Sequence, residues 1–158
     1  MHQNPLSPAP LWRRLAAAGY DFLLLLAIWF LLSGVLVMLY AWSGLPMEDL
    51  DGIRRPPQSF LRMFMLPCLL LATWLFYAYF WMRGGQTLGM RAWRIRVRDE
   101  LGRPLRVSQT LLRMIAASLS WLTLGLGYLL VLFPPFQSFH DRVSQTETVV
   151  VPAERKKK

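Results

Sequence analysis

Three long blocks of apolar residues divide this chain, and polar segments rich in glycine, proline and charge separate them. The first block covers residues 12–42, and no charged residue stands between Phe22 and Trp42. About 20 consecutive apolar residues are enough for a helix to cross a hydrocarbon core roughly 30 Å thick. The pattern therefore predicts a first transmembrane helix in this block.

The second block, residues 60–82, is also long enough to span a bilayer. Pro67 lies inside it and predicts a kink, because proline cannot donate the hydrogen bond that a regular helix requires. Aromatic residues crowd its far end. Since aromatic rings concentrate where acyl chains meet headgroups, we expect this end of the second helix at a membrane interface.

The third block, residues 111–133, contains Gly125 and Gly127 near its centre. Each glycine costs about 1 kcal/mol in a helix interior, so the block is either one flexible span or two half-helices that enter and return. If the N-terminus is cytoplasmic, two spans return the arginine-rich segment 83–113 to the cytoplasm, as the positive-inside rule requires. A re-entrant third block keeps the basic end of the chain there too, so we favour the broken or re-entrant form.

Between the second and third blocks, apolar residues alternate with arginines, which is the period of a β-strand with one apolar and one cationic face. The alternating positions are Trp93, Arg94, Ile95, Arg96, Val97 and Arg98. Residues 99–102 supply a turn and 105–107 a returning strand, which predicts a short cytoplasmic β-hairpin. In the re-entrant form, residues 149–151 can join it as a further strand.

The arginine face of this hairpin has two interpretations. Arg94, Arg96 and Arg98 form a lipid-facing basic surface in the first, which binds anionic headgroups or a partner. In the second, which we favour, the arginines only hold the loop in the cytoplasm. The predicted fold is thus an all-α integral membrane protein with two full transmembrane helices, a broken or re-entrant third segment and this hairpin.

The first apolar block carries one acid, Asp21, just inside the start of its uncharged run. An ionised carboxylate at membrane depth costs roughly 2.5 kcal/mol or more without a partner, a proton or water. Arg14 shares its helical stripe, about 10 Å away along the axis, but the lean of helical side chains would strain a direct pair. Either water or another helix bridges the two groups, or a neighbouring helix satisfies Asp21 alone.

The chain has 18 Lys+Arg, nine Asp+Glu and 54% hydrophobic residues. In so apolar a chain, anionic lipid headgroups and cytoplasmic retention explain the basic charge better than nucleic acid does, and no nucleic-acid partner is expected. Cys68 is the single cysteine, and no closely spaced Cys/His set, P-loop or dinucleotide motif is present. We therefore expect no metal, no cofactor and no enzymatic activity.

Three separated motifs carry a family resemblance. They are RRLAAAGYD (13–21), GGQTLGMRAWRIRVRDELGRPL (84–105) with LLR (111–113), and FHDRVSQTETVVV (139–151). Together they resemble the RDD family of small membrane proteins, which is named for one arginine and two aspartates. The resemblance implies that Arg14 is the arginine and that Asp21 and Asp141 are the aspartates. Phe139 and the pair Gln145-Thr146 depart from the family's usual tryptophan and Gly-Thr.

The family's usual suggested role, transport of ions or small ligands, leaves two hypotheses open. In the first, Asp21 exchanges a proton for a cation, and Arg14, Arg113 and Asp141 set its electric field at the cytoplasmic mouth. In the second, the same four residues form a static network in an accessory or scaffolding subunit of a larger membrane complex. The first requires a homo-oligomer, because three spans make a thin transporter, and the second requires a membrane-protein partner.

Both hypotheses predict a multi-pass protein of the inner, or plasma, membrane. The N-terminus and the segment 83–113 are expected in the cytoplasm. The predicted organisation is a flexible N-terminal lead at 1–11, a transmembrane domain at 12–151 and a basic C-terminal tail at 152–158.

Overall fold

The structure of the protein is a computed structural model that describes residues 6–152. The chain divides into two compact units, of which the first combines Met1–Asp21 with Phe76–Lys158 and the second is Phe22–Leu75. The architecture is mostly helical, with two long apolar helices, a bent helical pair and two small two-stranded sheets. The candidate site lies in the first unit.

Helix α1, Leu11–Trp42, contains 32 residues and confirms the helix predicted for the first block. It is long and apolar enough to cross a membrane. One stripe is buried at intervals of three or four residues, and most other side chains are exposed and apolar. The buried positions are Arg14, Ala17, Asp21 and Leu25.

The second long helix, Gln58–Arg83, has 26 residues and meets the same criterion of length and composition. It consists of α2 (Gln58–Phe60), a π-helical turn (Leu61–Met65) and α3 (Leu66–Arg83). The irregularity expected at Pro67 takes the form of the π turn, which ends two residues before the proline.

Within the second unit, the indole N–H of Trp29 donates to the hydroxyl of Thr73 at 2.9 Å and joins α1 to α3. The polar segment between the long helices contains a small antiparallel hairpin. Its strands are β1 (Glu48–Leu50) and β2 (Ile53–Arg55).

Strand β3, Ile95–Asp99, confirms the predicted alternation, because Ile95 and Val97 are buried and Arg96 is exposed. The prediction that residues 105–107 pair with it is wrong, because β3 pairs antiparallel with β4, Thr146–Val150. A strand in this part of the chain was expected only as a further member of the hairpin.

The residues that follow β3 form a closed turn instead of a returning strand. The Asp99 carboxylate accepts backbone N–H bonds from Leu101 and Arg103 at 2.9 and 2.7 Å. Pro104 then has no N–H for a sheet, and helix α5 already begins at Val107. The predicted strand at 105–107 is therefore replaced by the entry to α5.

The end of the predicted flexible lead pairs with β4. The Ala9 N–H donates to the Thr148 carbonyl, and the Val150 N–H donates to the Ser7 carbonyl, both at 2.9 Å. Since Pro8 also bridges to Val149, β4 lies between this segment and β3. The expectation of a flexible lead is corrected for residues 7–9, whereas residues 1–5, and 153–158 of the predicted tail, lie outside the described residues.

The third block is broken, as predicted. Helix α5 (Val107–Leu122) and the segment Leu126–Leu132, which comprises α6 (Leu126–Leu129) and a 3-10 turn, are bent by 108° at the break. Gly125 has φ +81, a left-handed conformation that glycine adopts without steric cost. A Cβ on Gly127 would overlap the Ser120 side chain, so the absence of a side chain lets α6 fold back on α5.

Helix α5 buries mainly polar residues and exposes large apolar ones, which is the reverse of a helix in a soluble domain. Its buried residues are Thr110, Arg113, Ala116 and Ser120. Its exposed large side chains include Leu111, Leu112, Ile115, Leu119 and Leu122. A soluble amphipathic helix faces its apolar stripe inward, whereas polar groups of lipid-embedded helices face the protein interior. The buried face of α5 is thus mostly polar and contributes polar side chains to the interior of the first unit.

Candidate functional site

Asp141, which has 0% solvent exposure, accepts hydrogen bonds on both carboxylate oxygens from two arginines. Arg14 of α1 donates from Nη1 to Oδ2, and Arg113 of α5 donates from Nη1 to Oδ1 at 2.5 Å. The Ser138 backbone N–H donates to Oδ2 at 3.2 Å, and the Thr148 hydroxyl donates to Oδ1 at 3.0 Å. Each oxygen therefore receives two hydrogen bonds.

The position of Asp141 follows from the start of α7, Phe139–Val143. Ser138 is the N-cap, and its hydroxyl accepts from the Asp141 N–H while Asp141 accepts from the Ser138 N–H. This reciprocal capping box fixes the first turn, and a carboxylate there also suits the helix dipole. Residues close to Asp141 in the sequence thus orient its side chain independently of Arg14 and Arg113.

Arg14 connects three parts of the first unit. Its Nε donates to the Ala9 carbonyl at 2.9 Å, and its Nη2 donates to the Thr148 carbonyl at 3.2 Å. Nη1 also reaches the Ser138 hydroxyl at 3.3 Å. The guanidinium therefore holds the segment before α1, strand β4 and the α7 cap together.

Arg113 occupies the other side of the carboxylate. Nη1 donates to the Thr146 hydroxyl at 2.6 Å, and Nη2 donates to the Thr148 hydroxyl at 3.0 Å. Its Cζ lies 5.2 Å from the centroid of the Trp81 ring, where a cation interacts favourably with the aromatic face. Two threonines that alternate along β4 thus supply the polar lining of the cluster.

The cluster of Arg14, Arg113 and Asp141 carries an excess of one positive charge. Burial by itself raises the pKa of Asp141, but the charges of Arg113 and Arg14 outweigh it and hold that pKa well below its usual range. Burial, reinforced by the arginines, lowers the pKa of His140 to about 3, so its imidazole is neutral at pH 7. The histidine therefore adds no charge to the cluster.

The imidazole of His140 is not oriented by the adjacent carboxylate. Its Nδ1 is buried and has no hydrogen-bond partner among the described residues. The ring packs edge-on against Tyr128, with 4.8 Å between centroids. His140 and Asp141 thus do not form an acid–base pair.

Asp21 lies in a separate site at the start of α4, Leu88–Ala92, and is 1% exposed. The Thr87 hydroxyl donates to Oδ2 at 2.5 Å, and the Gly89 N–H donates to Oδ1 at 2.9 Å. Thr87 is also the α4 N-cap and accepts from the Met90 N–H at 3.1 Å. Within residues 6–152, no arginine, lysine or histidine forms an ion pair with Asp21.

Gly89 is required where α4 approaches α1. A Cβ at this position would overlap the Ala17 carbonyl oxygen and lie 2.9 Å from Asp21 Oδ1. Only glycine lets the backbone N–H come close enough to bond the carboxylate. The same geometry places the Ala17 carbonyl oxygen beside the carboxylate of Asp21.

The structure brings together three of the four residues proposed as one network. Arg14, Arg113 and Asp141 form the buried cluster, whereas Asp21 is satisfied by the element that contains Thr87 and Gly89. This arrangement agrees with the alternative in which a neighbouring helix satisfies Asp21 alone. No group of three or more His, Cys, Asp or Glu residues suited to a metal ion occurs in the described part of the chain.

The predicted basic surface is also divided. Arg94 and Arg96 are exposed, whereas Arg98 is partly buried and its Nε lies 2.6 Å from the Glu147 carboxylate. Arg98 therefore has an acidic partner within the sheet, and the other two arginines have none among the residues described.

Five site residues were not identified from the sequence: Thr87, Gly89, Ser138, Thr146 and Thr148. Two of the signals were present. The pattern S-x-x-D at 138–141 is a capping-box signature, and the alternation of Thr146 with Thr148 puts both on one face of a strand. The contacts of Thr87 and Gly89 depend on a helix far away in sequence, and no local pattern marks them.

Two long apolar helices and a buried set of arginine and aspartate side chains are consistent with a small helical membrane protein. The sequence profile of the RDD family matches residues 8–145, which include Arg14, Asp21, Arg113 and Asp141. The chain belongs to the RDD family. No curated protein and no solved structure matches it.

Proposed function

We propose that this RDD-family protein is a multi-pass protein of the cell membrane that exchanges protons for small cations at Asp21. In this proposal α1 and Gln58–Arg83 cross the bilayer, and the bent third segment enters and returns on the cytoplasmic side. Charge supports this topology, because segment 83–113 contains eight arginines and no lysine, whereas segment 43–59 contains two arginines and three acids.

The observation that carries the proposal is the contrast between the two buried aspartates. Asp141 binds two arginines, whereas the partners of Asp21 among the described residues are a hydroxyl and a backbone N–H. In a medium of low dielectric constant, a carboxylate without a cationic partner requires a proton or a bound cation. The chain thus keeps one buried acid that mobile positive charge can neutralise.

The oxygen atoms around Asp21 suit a small cation. The Ala17 carbonyl oxygen and Oδ1 of the Asp21 carboxylate both face Gly89, and the Thr87 hydroxyl binds the other carboxylate oxygen. Hard cations such as alkali and alkaline-earth ions prefer such oxygen ligands. A cation that enters this group of oxygens displaces the proton from the carboxyl group, and a returning proton releases the cation.

The Thr87 hydroxyl can hydrogen-bond to Asp21 in both its ionised and its protonated state. With Asp21 ionised, it donates to Oδ2 and accepts from the Met90 N–H. With a proton on Oδ2, the carboxyl group donates and the threonine oxygen accepts through its second lone pair. The net positive charge of the Arg14–Arg113–Asp141 cluster acts on Asp21 at a distance and favours release of a bound cation. Since one chain provides few helices, the pathway is completed in a homo-oligomer.

The test is flux through purified protein in liposomes that contain a pH-sensitive dye. A sodium or potassium gradient should drive proton movement with wild type and not with Asp21→Asn. The matched control is Asp49→Asn, at an exposed carboxylate of the β1–β2 hairpin, which should leave flux unchanged. Absence of cation-coupled proton flux with wild type would overturn the proposal.

A second candidate function is that of a non-catalytic accessory or scaffolding subunit. The observation that favours it is the closed state of the Asp141 cluster, in which both carboxylate oxygens are occupied by donors from the same chain. Co-purification of a larger membrane partner, together with no intrinsic flux, would favour this role. A large loss of stability in Asp21→Asn would also favour it, because the acid would then be structural.

A further inference from the structure

We propose that the first unit binds anionic phospholipid headgroups through an aromatic–arginine surface. We define this surface by Trp12 and Tyr20 of α1, Trp93, and the arginines Arg91, Arg94 and Arg96. The inference is independent of any exchange at Asp21. It also changes the membership of the basic surface expected from the sequence, because Arg98 leaves it and Arg91 joins it.

The aromatic part is a cluster in which Trp93 contacts two rings of α1. The Trp12 and Trp93 rings meet edge to face with 5.5 Å between centroids, and Tyr20 and Trp93 do so at 6.3 Å. Trp12 and Tyr20 are each 55% exposed, although they take part in these contacts. Exposed tryptophan and tyrosine with polar ring atoms are typical of the layer where headgroups meet acyl chains.

The depth of this cluster on α1 agrees with that layer. Trp12 and Tyr20 are eight residues apart, which corresponds to about 12 Å along a helix, so the cluster spans one headgroup layer of roughly 5–8 Å and extends beyond it. Directly after Tyr20, α1 exposes apolar side chains, including Phe22 and Leu23. The aromatic cluster thus marks the boundary between an acyl-chain region and a polar region.

The charged part follows from the pairing of the arginines in this segment. Arg98 is bound to Glu147, and Arg103 is bound to Asp99 at 2.9 Å. Arg91, Arg94 and Arg96 are exposed, and none forms an ion pair with an acid among the described residues. Three unpaired guanidinium groups therefore flank Trp93 in sequence, where bidentate recognition of phosphate is available to them.

An anionic lipid satisfies both parts of the surface at once. Its phosphate neutralises the arginines, while its glycerol and upper acyl region contact the aromatic rings. An acidic protein segment would neutralise the arginines, but it would not provide an apolar environment for the exposed apolar side chains of α1 that follow Tyr20. The geometry and the charge therefore favour phospholipid over an acidic protein.

The experiment uses delipidated full-length protein in a mild detergent, titrated with short-chain phosphatidylglycerol or phosphatidylcholine. Bound lipid is counted by native mass spectrometry. Wild type should bind phosphatidylglycerol at least tenfold more tightly, and the preference should fall as salt is raised from about 0.05 M to 0.5 M because exposed charges are screened. The triple substitution Arg91→Gln, Arg94→Gln and Arg96→Gln should lower phosphatidylglycerol affinity on the order of 100-fold, about fivefold per arginine.

The matched control is Arg54→Gln, at an exposed arginine of the β1–β2 hairpin, which should bind both lipids as wild type does. Equal affinity of wild type for the two lipids, or a salt-independent preference, would overturn the proposal even if the triple variant did not fold. Retained lipid preference in a folded triple variant would also overturn it. If that variant instead lost an acidic protein partner, the surface would be a protein interface.

Discussion

Arg14 and Asp141 are 127 positions apart in the sequence and form an ion pair in the interior of the first unit. Arg113, from α5, binds the other oxygen of the same carboxylate. One side chain of α7 thus pairs with guanidinium groups from two other helices, and all three residues are no more than 6% exposed. The stability of the cluster therefore depends on this single carboxylate.

Replacement Asp141→Asn should lower the free energy of unfolding by about 3–5 kcal/mol, because two buried guanidinium groups lose the anionic partner that they share. Thermal or chemical unfolding in one detergent measures this loss. The control Glu147→Gln breaks the partly exposed pair with Arg98 and should cost less than about 1 kcal/mol. Equal losses in the two variants would show that the Asp141 cluster carries no special stability.

Replacement Thr148→Val should cost about 1–3 kcal/mol at nearly constant volume. The Thr148 hydroxyl donates to Asp141 and accepts from Arg113, so the variant leaves buried charged groups short of one hydrogen bond each. Thr123→Val is the control, since that hydroxyl bonds only carbonyl groups of its own helix and its residue is exposed. The unfolding free energies of both variants are compared with wild type, and a larger loss in Thr123→Val would contradict the assignment.

Replacement Gly89→Ala should destabilise the protein by about 1–3 kcal/mol, because the added methyl group overlaps the Ala17 carbonyl and separates α4 from Asp21. Gly19→Ala adds the same group to α1, where nothing lies within 4 Å. Since alanine is the better helix former, that variant should be as stable as wild type or more stable. Melting temperatures of the two alanine variants test the pair, and a stable Gly89→Ala protein would contradict the close approach.

His140 predicts a pH dependence of stability. Burial lowers its pKa in the folded protein from 6.5 to about 3, so an unfolded chain binds the proton first as the pH falls. The stabilising contribution is therefore complete above pH 6.5 and decreases from pH 6.5 toward pH 3. Below pH 6.5, wild type should lose up to about 1.4 kcal/mol per pH unit more than His140→Phe.

Phenylalanine retains the edge contact with Tyr128 and removes the titrating group, so it separates packing from protonation. Unfolding measured between about pH 6.5 and 4.5 also avoids the ordinary titration range of aspartate. Parallel curves for wild type and His140→Phe in this window would show that the imidazole is hydrated in the folded protein.

Local patterns predicted the elements whose formation depends on neighbours in sequence. The uncharged run after Phe22 indicated α1, the alternation around Ile95 indicated β3, and Gly125 indicated the break in the third block. In each case the physical cause, whether apolar length, side-chain period or left-handed backbone, lies within a few residues. These predictions did not require knowledge of a distant partner.

The misjudged features depend on distant partners. Strand β3 pairs with residues 146–150 because that segment offers a full register of backbone groups, whereas Pro104 and the Asp99 turn remove the nearer candidate. Asp21 was grouped with the arginines because it shares a helical stripe with Arg14 and because the family resemblance joins Arg14, Asp21 and Asp141. Its actual partner, Thr87, lies 66 residues away and is recognised only as the cap of a short helix.

The 127-residue separation of Arg14 and Asp141 also has a consequence for biosynthesis. At ordinary elongation rates of about 5–20 residues per second, roughly 6–25 s pass between synthesis of the arginine and synthesis of its aspartate. During that interval the Arg14 guanidinium has to find other partners, such as water. The buried contacts of Arg14 with Ser138, Asp141 and Thr148 therefore form only after the segment containing α7 and β4 has left the ribosome.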